Sequence, residues 1–241
     1  MISFFTKSNT LMVPPAELFD TDISLYIGET LLPAEDLVSA TTIVDGLAML
    51  GYSELILPIA DHQRKVNLSP CERITIVKSP FINLYTVAKK TELAWLKLAD
   101  QKTEFVFLNW VPSFNWLVTD LISQIRECQL TPVFIELQYN LEFDKRIFRR
   151  LKDKGALFCG NLMGITGKYG YQAAKTMRTL LKYGLLDLME SGVCGEDDVA
   201  ALKELKLDRN TYELFEQTSF QNAYVNKGFT SEGLYPILNG F

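Results

Sequence analysis

Short apolar runs alternate along the chain with longer stretches whose apolar positions recur every three to four residues. The runs occupy residues 23–27, 55–59, 74–77, 105–108, 133–137 and 156–159. Most are apolar at consecutive positions instead of every second one. That pattern suits strands covered on both faces, as the strands of a parallel sheet are.

Helical stripes fill the intervals. Pro33 suits a first helical turn, where Glu35 and Asp36 meet the positive end of the helix dipole. Leu37, Ala40, Val44 and Leu47 follow on one face, and Gly51 stands where the helix would end. Ser113 is placed to cap a helix with Leu117, Leu121, Ile125 and Cys128 on its apolar side. Phe143, Ile147 and Leu151 form a stripe closed by Gly155; Ala173, Met177, Leu180 and Leu181 form one closed by Gly184. Strand and helix in alternation predict right-handed βαβ units and a mainly parallel α/β fold.

Six strands are well marked. A seventh, 185–189, reads equally as the continuation of the preceding helix. Six or seven strands suit an open doubly wound sheet or an incomplete or modified barrel, and the pattern leaves both open. The whole chain, 1–241, reads as one domain, with 196–241 a helical and irregular C-terminal extension packed on it. Within that extension Glu196-Asp197-Asp198 opens a short helix bearing Val199, Leu202 and Leu205, and residues 210–220 look helical. The tail holds Phe229, Leu234, Tyr235, Ile237 and Leu238, apolar enough to imply packing on the domain, on a protein partner or on a second copy.

Composition narrows the class. With 48% hydrophobic and 22% charged residues over 241 positions, the chain has the balance of a globular protein, not a disordered one. The net charge of −5 argues against nucleic acid, because phosphate recognition needs a basic face. Lys89-Lys90 and Lys145-Arg146 with Arg149-Arg150 fit solvated helix faces. Cys71, Cys128, Cys159 and Cys194 are widely spaced without a CxxC pair, so a disulfide framework is not expected and the thiols read as reduced. The N-terminus lacks the form of a signal peptide, and no run is long enough for a membrane span. These features point to a cytoplasmic location.

Ligands of parallel α/β folds sit outside the carboxyl ends of the strands. The polar residues to inspect are therefore Glu29, Asp61 with His62, Lys78, Asn109, Glu136 with Gln138, and Asn161. Glu136 stands out because Phe134-Ile135-Glu136-Leu137 sets a carboxylate in an apolar strand. Desolvation there would fit it for acid–base work or metal ligation. His62 is the single histidine, which excludes His-rich zinc sites, and no haem motif is present. A carboxylate-bound Mg²⁺ needs no histidine and remains compatible with the sequence. Asn161, Gly164, Gly167 and Lys168 lie in a glycine-rich stretch between a strand and a helix, the setting of an anion or phosphate cradle. Neither a P-loop nor a Rossmann fingerprint fits it. A plain flexible turn accounts for it equally well.

Several of these positions, in order, resemble the EAL family of cyclic-di-GMP phosphodiesterases, which are modified barrels. Glu29-Thr30-Leu31-Leu32 is similar to its signature tetrapeptide, Phe107-Leu108-Asn109 to its metal-binding asparagine strand, and Ile135-Glu136-Leu137 to its glutamate strand. Leu151-Lys152-Asp153-Lys154-Gly155 is similar to the stretch before its paired aspartates. Gly160-Asn161 stand where those aspartates would be, no Lys-Ile-Asp strand follows, and 192–196 only echoes the later glutamate motif. The resemblance implies a degenerate member that has lost the metal pair used for hydrolysis. The expectation is thus a non-catalytic regulatory, protein-interaction or ligand-binding domain. The alternative is an enzyme or binder acting on a phosphorylated or anionic small molecule, with Glu136 as acid–base or metal ligand and Glu29 and Asn109 as further catalytic candidates.

Overall fold

The computed structural model describes residues 4–5, 10–12, 21–23, 34–52, 54–60, 74–84, 105–110, 116–139, 144–193 and 195–218. The expected positions Glu29, Asp61, His62, Ser113, Cys71, Cys194 and the tail from 219 onward lie outside these residues.

Two short strands, β1 (Phe4–Phe5) and β2 (Thr10–Met12), come first. Then follow β3 (Thr21–Ile23), helix α1 (Ala34–Met49), β4 (Glu54–Ala60), β5 (Thr75–Ile82), β6 (Phe105–Asn109) and α2 (Trp116–Glu127). Next are β7 (Thr131–Ile135), a 3-10 turn (Leu137–Tyr139), α3 (Lys145–Lys152), β8 (Leu157–Asn161), the short α4 (Leu162–Thr166) and α5 (Tyr171–Lys182). The described chain ends with β9 (Leu188–Glu190), α6 (Glu196–Lys203), β10 (Lys206–Asp208) and α7 (Arg209–Gln217).

Strands β3 to β9 form one seven-stranded sheet in sequence order, and every pairing in it is parallel. That order decides between the two architectures left open by the pattern. A doubly wound sheet must reverse its strand order at a switch point. Unbroken order with right-handed crossovers puts every helix on one face and makes the sheet curl. The edges do meet: residues of β3 and β9 approach within 8 Å between Cα atoms, without a hydrogen-bonded seam among the described residues. Among the described residues the seven parallel strands thus form a curled α/β sheet whose edges approach, in the manner of an incomplete barrel. Outside it, β2 pairs antiparallel with both β1 and β10, a small sheet the sequence pattern did not announce.

The strands from β4 to β9 divide their described side chains between two apolar layers. Ile56, Phe105, Phe107, Val133, Ile135, Cys159 and Leu188 fill the interior of the curl. Leu55, Val106, Leu108, Phe134 and Phe158 face outward, against Ile122 and Ile125 of α2 and Met177 and Leu180 of α5. Both layers are dry, which is why β6 and β7 are buried at every position. Trp110 stacks on Phe148 of α3 with ring centroids 4.5 Å apart and meets Phe134 edge-on at 5.8 Å.

At the opposite end from the ligand-binding rim of such folds, an ion pair ties β8 to the approach of β9. Lys152 Nζ lies 2.5 Å from Asp187 Oδ1, and the other Asp187 oxygen accepts from the Phe158 amide at 2.9 Å. Burial raises the Asp187 carboxyl above its ordinary value, with Lys152 opposing. A raised acid binds its proton more tightly folded than unfolded, so its contribution worsens as pH climbs through the folded pKa. Lys152→Met leaves that carboxylate without its counter-charge. The variant is expected to cost about 2–3 kcal/mol at pH 8, less than a fully buried pair because Lys152 is partly exposed, and progressively less as the pH is lowered and Asp187 takes a proton. Urea melts across pH test this; a cost independent of pH would mean that Asp187 is not the group involved.

Candidate functional site

The carboxyl ends of β6 to β9 carry the alternation of interior side chains one step past the apolar plug. On β6 the inward series is Phe105, Phe107, Asn109; on β8 it is Leu157, Cys159, Asn161; on β9 it is Leu188, Glu190. Asn109, Asn161 and Glu190 are only 2%, 3% and 1% exposed. A dry plug capped by buried polar groups is the geometry expected of a barrel mouth.

The ladder sets their heights. Asn109 pairs with Ile135, and the β7–β8 register, Val133 with Leu157 and Phe134 with Phe158, continued one step, sets Ile135 level with Cys159. Asn161 pairs with Glu190 and so stands a layer above Asn109. The two asparagines also do separate work. Asn109 Oδ1 accepts from the Leu84 amide at 2.6 Å, tying the end of β5 to the end of β6. Asn161 is engaged at both ends: Oδ1 caps α4 by accepting from Gly164 N at 2.8 Å, and Nδ2 donates to Glu190 Oε1 at 2.7 Å. Its backbone N–H donates to Met177 Sδ at 3.4 Å.

Glu136 does not sit inside a strand. β7 stops at Ile135, and Glu136 takes the left-handed conformation with φ of 61°, half-buried, opening the 3-10 turn through Glu136 O and Tyr139 N at 3.1 Å. A residue with a Cβ reaches that region at a cost. The apolar pattern ran through it because Leu137 is buried on the turn, not on the strand.

The glycine-rich segment is two turns rather than an open cradle. α4 follows β8 directly, and Gly167, with φ of 97°, closes it. The amides of Gly167, Lys168 and Gly170 bond to Gly164 O, Met163 O and Gly167 O. Gly164 is packed: a Cβ there would lie 3.2 Å from Gln138 Cβ and from Met177 Cγ, and 3.5 Å from Asn161 Cβ. Lys168 is paired with Asp198 of α6 and lies 5.5 Å above the Tyr169 ring.

Three successive loops converge over this corner. Tyr139, after β7, meets Tyr169, after β8, edge-on at 5.8 Å. Tyr169 donates its hydroxyl to Gly192 O, after β9, at 3.3 Å. Glu190 and its neighbour Ser191, both buried, escaped sequence reasoning. The signal was the one used elsewhere, a polar residue ending an apolar run, but the run 185–189 also read as helix.

The implied divalent metal can be weighed against these donors. Glu136 and Glu190 are the carboxylates at the described mouth, one held on the left-handed turn and the other by Asn161. Among the described residues no group of three His, Cys, Asp or Glu side chains converges as a metal site. Glu29, Asp61 and His62 lie outside them.

No protein-family model matches the sequence, and no curated protein matches it. A chain from the crystal structures of YwqE from Bacillus subtilis and CpsB from Streptococcus pneumoniae, described as unique metal-dependent tyrosine phosphatases, shares the fold. It superposes with a TM-score of 0.52 at 14% identity, covering 82% of this chain and 96% of that one. The EAL resemblance is thereby corrected. Of its motifs, Phe107-Leu108-Asn109 and Ile135-Glu136-Leu137 fall at the carboxyl ends of β6 and β7, where any parallel α/β sheet places polar-after-apolar residues, the stretch from Leu151 falls at the end of α3, and residues 29–32 lie outside the described residues. Among the described residues no helix is long and apolar enough to cross a membrane.

Proposed function

We propose that the protein binds, and in the fuller form of this reading turns over, a phosphorylated small molecule at the carboxyl-end mouth of its barrel. The observation that carries it is that Asn109, Asn161 and Glu190 are buried polar groups at the carboxyl ends of their strands, with the Asn161–Glu190 pair standing above the apolar plug. The shared fold with metal-dependent tyrosine phosphatases supports phosphate-ester chemistry in this class. Glu136, on the rim, is the carboxylate best placed to act as acid–base or to meet a divalent ion. Lys168, at the edge of the converging loops, offers the positive charge for the phosphate end once it exchanges Asp198 for ligand. A bound Mg²⁺ would polarise the phosphoryl oxygens; the described carboxylates alone do not furnish its full ligand set.

A thermal-shift screen with phosphotyrosine, sugar phosphates and inorganic phosphate, each with and without Mg²⁺ and Mn²⁺, tests this. A ligand present at a hundred times its dissociation constant adds about 2.7 kcal/mol, and Lys168→Ala should weaken the response. If no phosphorylated compound moves the midpoint under any of these conditions, the proposal fails. Binding without release of phosphate would favour the second reading, a non-catalytic ligand-binding domain, which fits Glu190 being committed to Asn161.

A further inference from the structure

Gln138 sits on the 3-10 turn after β7, packed against the end of β8 and against α5. It is 3% exposed, and its Oε1 is buried with no hydrogen-bond partner among the described residues. Its neighbours are the rim groups: Gln138 Cβ and Asn161 Cβ lie 3.2 and 3.5 Å from the place a Gly164 Cβ would take, and Asn161 holds the buried Glu190 at 2.7 Å. Folding normally places a partner against a buried amide oxygen, because burying it bare costs the full desolvation of that atom. An apolar residue of Gln's length would fill the same space without that cost.

From this we infer that Gln138 receives a hydrogen-bond donor of the ligand, a hydroxyl or ammonium carried by the phosphorylated molecule. The inference rests on the proposed phosphate-ester reading and narrows its substrate class. Gln138 Oε1 is a buried acceptor. A phosphate oxygen is repelled there, and a donor is drawn in. The cationic partner for the phosphate stands apart, at Lys168, across the Tyr139–Tyr169 contact. The ligand is therefore two-ended: a phosphate outward, and a hydroxyl or amine inward.

The test uses the full chain with three named probes, O-phosphoethanolamine, glycerol 3-phosphate and ethyl phosphate, plus MgCl₂ alone. Against wild type, at least one donor-bearing probe should bind about tenfold or more tightly than ethyl phosphate, since a site built around a hydrogen bond discriminates against the analogue that lacks it. Gln138→Leu should erase that difference while keeping the weaker phosphate binding. Without ligand it should raise the melting midpoint by about 2–4 °C, the opposite of what loss of a structural hydrogen bond does. Gln138→Met provides a second apolar replacement with an unbranched side chain.

Equal binding of all three probes overturns the inference and leaves the phosphate-ester reading standing. Failure of every probe and of the wider phosphate screen overturns both. A lowered midpoint in both variants shows that the amide is structurally partnered, and stabilisation by MgCl₂ alone that depends on Gln138 shows a cation site; either result overturns the inference.

Discussion

Replacing Gly192 by alanine is expected to cost about 3 kcal/mol or more, and to do so through the rim. Gly192 has φ of 76°, a region that penalises any Cβ. A Cβ there would also lie 2.3 Å from Asn161 Oδ1 and 2.7 Å from the rest of its carboxamide. Asn161 cannot step aside cheaply, being fixed by Gly164 N on one side and Glu190 on the other. Backbone strain contributes about 1 kcal/mol or more and overpacking about 1–3. Urea denaturation of Gly192→Ala gives the number directly; a cost below about 1 kcal/mol would show that the Asn161 carboxamide is not pressed against the β9 loop.

Asn161→Ala is expected to be nearly as damaging, at about 3 kcal/mol. It removes the cap of α4, worth about 1 kcal/mol, and deprives the buried Glu190 carboxylate of a donor, worth about 2 more. The two changes are not independent. Once alanine stands at 161, the atoms that a Cβ at 192 would strike are gone, so the double variant should cost clearly less than the sum of the singles. A strictly additive double-mutant cycle would refute the contact between the two loops. Because Asn161 and Glu190 cap the plug of the proposed mouth, Asn161→Ala should also abolish any ligand-induced stabilisation that wild type displays.

These effects concern residues the sequence flagged unevenly. Asn161 was visible as the polar residue closing the run 156–159, and Gly164 and Gly167 as punctuation before a helix. The sequence could not tell a phosphate cradle from a capped turn, because the difference lies in where the amides point. That is set by Asn161 reaching Gly164 and by Gly167 ending a five-residue helix. Gln138 was noted as a polar residue past a strand, but its burial depends on the 3-10 turn settling on β8 and α5, contacts made by residues 20 to 40 positions away.

What the sequence by itself determined is local. Runs apolar at every position dictate strands covered on both faces, and stripes of period 3.6 dictate the helices between them, since each face must leave water. From these follow the parallel α/β class and the positions of the longer elements between 34 and 217, but not α4, the 3-10 turn or β10, while β9 stood between strand and helix. What only the tertiary structure decided is non-local: the unbroken strand order, the approach of β3 to β9, and the antiparallel pairing of β10 with β2. Three-residue strands such as β9 and β10 carry too few positions for a period to register, and they exist because a partner edge is presented to them. Glu190 became a rim residue for that reason. It acquires its inward direction from pairing with Asn161, 29 positions earlier, and no reading of residues 185–190 in isolation contains that partner.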